Sequence, residues 1–414
     1  MTVHTALAGA CQAWPAGPDD AVASVLPTHV ATPTTVDEVA AVLRVAAGHG
    51  LAVVPRGTGG RLAWGAPPER CDLLLDLSGL DAVIDHAAGD MVVQVQAGVQ
   101  LDRLAGLVAG AGQQLALDPP GYHDGPGTVG GALAVGLAGP RRLRYGRPRD
   151  LLLGLRMVRA DGVVASAGGR VVKNVAGYDL GKLLTGSYGT LGVIVAATLR
   201  LHPLPAATAW VTVTAPDPSA GYAQAQAILD SQLAASAVEI DRPGAGAPVA
   251  VAALFEGTGS GVAARAAAAA ELVGGVAGGS APEWFGRCPG TPAGTLVELS
   301  FPPARLSEVL GLVDSAAESA GLPVPVRGSA GPAVLHAALP AGAEPEPAAR
   351  FLAALRGGLG RDGAAVVRHA PPPVRAVIDL WGPVDAGALA LMRRVKDQFD
   401  PDRRLAPGRF VGGI

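Results

Sequence analysis

Pro55-Arg56-Gly57-Thr58-Gly59-Gly60-Arg61 follows the apolar run Leu51 to Val54, and Gly186-Ser187-Tyr188-Gly189-Thr190-Leu191-Gly192 precedes the β-branched run Val193 to Leu201. Glycine, with no Cβ, reaches left-handed turns at little steric cost, so such stretches let backbone N–H groups close on a bulky anion. A third stretch, Gly127-Thr128-Val129-Gly130-Gly131, lies between them. Taken singly, each reads equally well as a plain turn. Taken together, they suggest a chain that wraps a large phosphate-bearing cofactor. They do not form the common dinucleotide fingerprint. Leu62 stands where a third glycine is needed, and the second loop precedes a strand instead of following one. No P-loop lysine follows a GxxxxG spacing.

Working outward, Thr35-Val36-Asp37-Glu38 reads as a capping box. Val36, Val39, Ala40, Leu43, Ala46 and Ala47 then recur at helical spacing until Gly48 or Gly50. Leu73 to Leu77 and Met91 to Val95 are expected as strands, and Leu101 to Ala111 as a helix. Leu151 to Ala167 reads as a hairpin turned at Asp161-Gly162. Asp179 is placed to cap a short helix, Leu180 to Leu184. Beyond Pro203 and Pro205, strands and helices alternate regularly. From Trp210 to Val273 the series is β, α, β, β, α, and Gly274 to Ala293 reads as a long connection. From Leu296 to Arg368 it is β, α, β, β, α, β, the split pattern of a ferredoxin-like unit. A last helix, Ala386 to Gln398, leads into an irregular tail.

The 414 residues allow two or three domains, and an apolar share of 49% allows a real core. The 32 basic and 35 acidic residues give a net charge of −3, which argues against a nucleic-acid surface. Cys11, Cys71 and Cys288 are far apart with no CxxC, so no iron–sulfur cluster, zinc site or other metal centre of the chain's own is expected. Scattered cysteines suit a reducing compartment. No basic stretch followed by an apolar core opens the chain, so no secretory leader is expected. The Ala-rich segment Val262 to Gly279 is too weakly apolar to span a bilayer.

The order of the motifs is specific as a set. Arg56-Gly57-Thr58-Gly59-Gly60 is followed by Leu75-Asp76-Leu77-Ser78, Ala97-Gly98-Val99 and Thr128-Val129-Gly130-Gly131. Then come Arg144-Tyr145-Gly146, Lys173-Asn174-Val175-Ala176-Gly177-Tyr178-Asp179-Leu180 and the second loop, which runs on to Val193-Ile194. This order resembles the FAD-linked oxidase family, the vanillyl-alcohol-oxidase or PCMH type of flavoprotein, over roughly the first half of the chain. The tail Phe399-Asp400-Pro401 to Pro407-Gly408-Arg409-Phe410 resembles the family's closing segment. Within the family, the pattern is most similar to the FAD-binding subunit of bacterial glycolate oxidase, the smaller of its two flavin subunits.

The resemblance implies an α+β protein: a PCMH-type FAD-binding domain over 1–204, a ferredoxin-like α+β cap over 205–385, and a helix and tail, 386–414, returning to the first domain. It implies that Arg56, Gly57, Thr58, Gly59, Gly60 and Arg61 hold the FAD pyrophosphate. Pro119, Gly127, Thr128, Val129, Gly130 and Gly131 would approach from the other side. Lys173, Tyr178 and Asp179 would lie near the flavin end, with Tyr145 and Gly146 joining the set. Gly189, Thr190, Gly192, Val193 and Ile194 would lie near the adenosine. Asp179 also reads as a helix cap, Lys173 as a solvated loop residue, and Tyr145 and Tyr178 as core aromatics.

Some members attach the flavin covalently through His or Cys. Here only His123 is a candidate nucleophile near these loops, so noncovalent FAD is expected. The HxGDGNxH segment of D-2-hydroxy-acid relatives is missing, while His336 and His369 stand isolated and read as packed strand residues. No catalytic base stands out. The implied function is an FAD-dependent oxidoreductase acting on CH–OH groups, as a flavin subunit of a glycolate-type 2-hydroxy-acid dehydrogenase complex. A hydride would pass from the substrate carbon to the flavin, in this subunit or in a sister flavoprotein, and electrons would leave to an iron–sulfur partner or a quinone-linked acceptor. An iron–sulfur subunit and a second FAD-linked subunit are the implied partners. The expected location is cytoplasmic, at most peripheral to the inner face of the membrane. Two other readings stay open: a self-sufficient oxidase or dehydrogenase of another substrate, and a non-catalytic FAD-binding scaffold.

Overall fold

The computed structural model describes residues 2–121, 127–170 and 179–414. Its first half contains two small sheets. A four-stranded sheet takes the order Gln12–Pro15, His29–Thr32, Leu73–Asp76, Val53–Arg56, parallel except for its first pair. The helix Val36–His49 makes the crossover between His29–Thr32 and Val53–Arg56. Thr35 caps it by accepting from Glu38 N at 3.1 Å. The Glu38 carboxylate reaches back one residue further than the capping box requires, accepting from Thr34 N at 2.7 Å. Gly50 ends the helix at φ +65°.

A five-stranded antiparallel sheet follows, in the order Val83–Ala87, Val92–Gln96, Val193–Arg200, Leu152–Val158, Val164–Gly168. Its central strand, Val193–Arg200, explains its own unbroken apolar run. Val193 and Val195 pack with Leu43, Val53 and Leu75, while Ile194, Ala197 and Leu199 pack with Leu104 and Leu133. A strand buried on both faces needs no polar alternation. The hairpin expected at Asp161-Gly162 forms, with Gly162 at φ +79°.

The second half is one eight-stranded antiparallel sheet built from two βαββαβ units. The first unit orders its strands Val276–Gly278, Ala207–Ala215, Val249–Gly257, Ala237–Arg242. The second continues the sheet with Val326–Ser329, Val334–Leu339, Thr295–Ser300, Ala364–His369. Val276–Gly278 lies inside the stretch expected to be a plain connection. Its three residues are exposed and include a glycine, so they carry no burial periodicity to read. The helices Pro218–Asp230, Gly259–Val273, Leu306–Ala320 and Pro345–Leu359 share one core with Val238, Ile240, Val297, Leu299, Leu335 and Ala337 of the sheet. Because side chains alternate along a strand, the other face carries Glu239, Asp241, Glu298 and His336 toward the first half.

The tail crosses back. After the helix Ala386–Phe399, Val53 N donates to Arg404 O at 2.7 Å and Ala406 N to Val53 O at 2.8 Å, which extends the edge of the four-stranded sheet. Lys396 fixes this return. Its buried ammonium donates to Thr190 O at 2.7 Å, Asp400 at 2.7 Å and Leu405 O at 2.9 Å.

Candidate functional site

The three glycine stretches meet. Gly57 to Arg61, Gly127 to Gly131 and Tyr188 to Ile194 all contribute walls to one cavity of about 320 Å³. Local chemistry puts them there. Strand Val53–Arg56 ends with Arg56 forked between Asp20 at 2.9 Å and Asp76 at 2.7 Å, which ties the neighbouring strand ends together. The guanidinium of Arg56 therefore serves the loop's geometry and is neutralised there. Thr128 caps the helix Val129–Val135, accepting from Gly131 N at 3.1 Å. Gly130 packs so closely that a Cβ would stand 2.7 Å from that of Ala97. At Gly57 a Cβ would stand 2.4 Å from Thr128 Oγ1, so the first and third stretches touch only because residue 57 is glycine.

Two arginines give the cavity its charge. Arg409 lies in the tail and is 3% exposed. Its Nη2 donates to the carbonyls of Leu62 at 2.7 Å and Trp64 at 2.6 Å, and its Nε has no partner. Burial pushes its pKa down to about 10. Arg61 lies over the Trp64 ring at 5.7 Å, its pKa is lowered by burial, and its Nε also has no partner. Neither forms a salt bridge with a carboxylate among the described residues. A buried cation without a counter-ion is costly unless an anion completes the site. Buried Arg409 and half-buried Arg61 beside a glycine-lined turn suit a diphosphate, which accepts many short hydrogen bonds. The fit extends to the apolar walls Leu77, Ala97 and Ile194, which suit a heterocycle.

The remaining expected site residues lie elsewhere. Val129, Thr190 and Val193 are buried in the framework behind the wall. Pro119 and Gly146 do not line the cavity. Tyr145 opens onto a separate cleft beside His202 and donates to Glu256 at 3.1 Å. Asp179 caps the helix Leu180–Leu184 through Lys182 N at 3.2 Å and pairs with the Lys182 ammonium at 3.1 Å, away from the cavity. Lys173, Tyr178 and His123 lie outside the described residues. Sequence reasoning missed Leu62, Ala134, Val135 and Tyr188 as wall residues and left Arg409 unassigned. The signal for Tyr188 was its place inside the quoted loop, between Ser187 and Gly189.

Facing this region, the polar side of the large sheet is internally paired. Arg327 holds Asp241 at 2.6 Å, and Arg368 holds Glu298 at 2.6 Å and 3.2 Å. His336 Nε2 stands 3.5 Å from Glu298, and the His369 ring meets Gly294 O at 3.1 Å. Glu239 bonds Ser329, and burial lifts its pKa to about 8. Burial likewise lifts Asp118 to about 7 and the thiols of Cys71 and Cys288 to about 12. Among the described residues no group of His, Cys, Asp and Glu could hold a metal ion, and no helix is long and apolar enough to cross a membrane.

Comparison with known proteins bears on this cavity. Residues 27–168 match the FAD binding domain family, and residues 382–410 match the C-terminal domain of FAD linked oxidases. Glycolate oxidase subunit GlcD of Bacillus subtilis is 33% identical over 180 residues, covering 44% of this chain and 38% of that protein. Glycolate oxidase subunit GlcE of Escherichia coli is 39% identical over 134 residues, covering 32% of this chain and 38% of that protein. D-lactate dehydrogenase of Archaeoglobus fulgidus is 37% identical over 174 residues, covering 42% and 38%. The similarity thus spans well under half of these relatives. The fold is shared more widely. The structure of p-cresol methylhydroxylase with substrate bound superposes with a TM-score of 0.74 at 17% identity, covering 98% of this chain and 96% of that one. Alkyldihydroxyacetonephosphate synthase gives 0.71 at 17% identity, covering 93% and 78%. Residues 27–168, which supply two of the three glycine stretches, are thus similar to the FAD binding domain family, and residues 382–410, which deliver Arg409, to the C-terminal domain of FAD linked oxidases, on an α+β fold shared with p-cresol methylhydroxylase.

Proposed function

We propose that the chain is an FAD-dependent oxidoreductase subunit that holds FAD noncovalently in the glycine-lined cavity and serves the oxidation of a small 2-hydroxy acid. The observation that carries this is the pair of guanidiniums, half-buried Arg61 and buried Arg409, that face the cavity without carboxylate partners among the described residues. Gly57, Thr58, Gly59, Gly60 and Arg61 would hold the diphosphate from one side, and Gly127, Thr128, Gly130 and Gly131 from the other. Gly189, Gly192 and Ile194 would border the adenosine. The working division is an FAD-binding part over 1–204, a cap over 205–385 and the returning tail, 386–414.

When bound, FAD would supply a hydride acceptor. The chain's own part is to fix that group and exclude water, with the large sheet closing over the cavity as a cap. The cysteines of this chain give no thiolate set for a cluster, so onward electron transfer would need an iron–sulfur partner. Two relatives named as glycolate oxidase subunits support a place in a multi-subunit assembly; on this reading it has a second flavin subunit and lies in the cytoplasm or peripheral to the membrane. A second reading has one observation in its favour. Arg327 and Arg368 are spent on Asp241 and Glu298, which leaves the cap face poor in free cations for a substrate carboxylate. On that reading the subunit carries FAD and a sister flavoprotein oxidises the substrate.

The absorption spectrum of the purified chain tests both levels. A yellow protein, or one that takes up FAD on reconstitution, is expected, and a colourless protein that refuses FAD refutes the assignment. Anaerobic glycolate or D-lactate should then bleach the flavin of the assembled complex. Bleaching of the isolated chain would show that this subunit oxidises the substrate itself.

A further inference from the structure

Tyr188 lines the cavity in a left-handed conformation, φ +55°. For a bulky aromatic that is a strained backbone, and such strain persists only where the surroundings over-determine it. The surroundings here do so. Trp381 meets the ring edge-on at 5.2 Å, and Phe410 lies 6.0 Å away. A Cβ on Gly65 would stand 3.1 Å from a ring carbon. Tyr188 N donates to Ala134 O at 2.9 Å.

The phenol is held from across the sheet interface. Arg368 Nη1 donates to Tyr188 Oη at 2.7 Å. Arg368 lies at a break in register, for Leu296 faces His369 while Val297 faces Val367. It is therefore the extra residue of a β-bulge, a device that re-aims a side chain and that gathers beside functional sites. The rest of its guanidinium forks onto Glu298, which His336 approaches at 3.5 Å. Its carbonyl accepts from Gly65 N at 3.1 Å.

A guanidinium cannot accept a hydrogen bond, so the Tyr188 oxygen accepts and its own proton remains to be placed. Among the described residues no acceptor takes it, although Tyr188 is only 8% exposed. Buried phenols find partners. A group filling the cavity that Tyr188 lines would supply such an acceptor. The cavity lining includes apolar Leu77, Ala97 and Ile194, while Tyr188 packs with Leu296 and is bonded by Arg368 of the large sheet. A redox ring has to lie where a substrate or partner can reach it, at the seam between the two halves.

We propose that Tyr188 is a cofactor-contacting residue, with its phenol donating a hydrogen bond to the ring end of FAD and the bulged Arg368 as its positioning residue. This rests on FAD occupying the cavity. The test uses the full chain, reconstituted with FAD, as wild type, Tyr188→Phe, Arg368→Lys and the double variant. Tyr188→Phe keeps the ring packing and deletes only the hydroxyl. It should retain the fold by circular dichroism, bind FAD about tenfold more weakly, equal to about 1.4 kcal/mol, and shift both the long-wavelength flavin band and the midpoint potential. Arg368→Lys should move the band in the same direction and add little to Tyr188→Phe. An unchanged band and affinity in Tyr188→Phe, or strictly additive shifts in the double variant, would overturn the proposal. If Tyr188→Phe fails to fold, Arg368→Lys decides by the same band. A wild-type chain that binds no FAD sinks the cavity assignment instead, before any variant is compared.

Discussion

Gly57→Ala adds a single methyl at the tightest point between the two loops that face each other across the cavity. The new carbon would stand 2.4 Å from Thr128 Oγ1 and 3.0 Å from its Cγ2, whereas ordinary contact begins at 3.4 Å. The gap must therefore open by about 1 Å, beyond what van der Waals contact tolerates. Thr128 cannot simply turn away, because it is buried and its Oγ1 caps Gly131 N at 3.1 Å. Losing that cap costs about 1 kcal/mol, and an off-rotamer threonine costs about 1 kcal/mol more. Urea denaturation of the apo protein should show a loss of about 2 kcal/mol on those two terms. Spreading the loops should also cost at least one charge-assisted hydrogen bond to the diphosphate, about 2 kcal/mol or near thirtyfold in affinity. Flavin fluorescence, followed as apo protein is titrated with FAD, reads this directly. Thr128→Ala deletes both nearest atoms. Alone it should cost the cap, while Gly57→Ala with Thr128→Ala should cost less than the two singles added together. Strict additivity, or wild-type affinity in Gly57→Ala, would refute the claim that these loops close on one another around the cofactor.

Burial lifts the Glu239 pKa from 4.5 to about 8, so between those values the unfolded chain releases a proton that the folded chain keeps. Stability should therefore fall as pH rises through that window, and Glu239→Gln should flatten the fall. The gain for Glu239→Gln at pH 8 over its effect at pH 4 should be on the order of 2 to 4 kcal/mol, and parallel denaturation curves at the two pH values would sink the idea. Lys396→Met leaves Asp400 buried without its cation. It should cost about 3 to 5 kcal/mol and make the chain after Phe399 cleavable by limited proteolysis; an uncut tail at wild-type stability would contradict the clamp.

Local signals in the sequence reached as far as local physics does. Thr35, Asp179 and Gly50 announced helix ends because capping uses neighbours in the chain, and the structure uses each of them that way. The second βαββαβ unit was legible from alternation alone. The strand Val276–Gly278 was not, because an exposed, glycine-containing edge strand leaves no apolar pattern. The glycine stretches declared a cradle, yet they did not say which neighbours fill its wall. Val193 and Thr190 carry the same motif as Gly192 and Ile194, but strand alternation and turn geometry bury them in the framework. Tyr188 stood in the quoted loop with no role assigned to it, and the partner of its hydroxyl, Arg368, lies 180 positions away.

Arg409 exposes the limit of reading from motifs. The resemblance of the tail to the family's closing segment assigned Arg409 no contact, and its charge alone would suggest a solvated surface. Three contacts make it a cavity residue: the pairing of Val53 with the Arg404 and Ala406 backbone, the Lys396–Asp400 clamp, and the carbonyls of Leu62 and Trp64 that receive its Nη2. Leu62 and Trp64 follow directly on the first glycine loop. The cradle's second cation thus comes from the far end of the chain and is anchored by the backbone of the first loop. Neither end can build the anion site alone, because Arg61 supplies one charge and the tail supplies the other. The buried ammonium of Lys396, which does not itself line the cavity, is therefore expected to govern cofactor binding through the path of the chain that it holds in place.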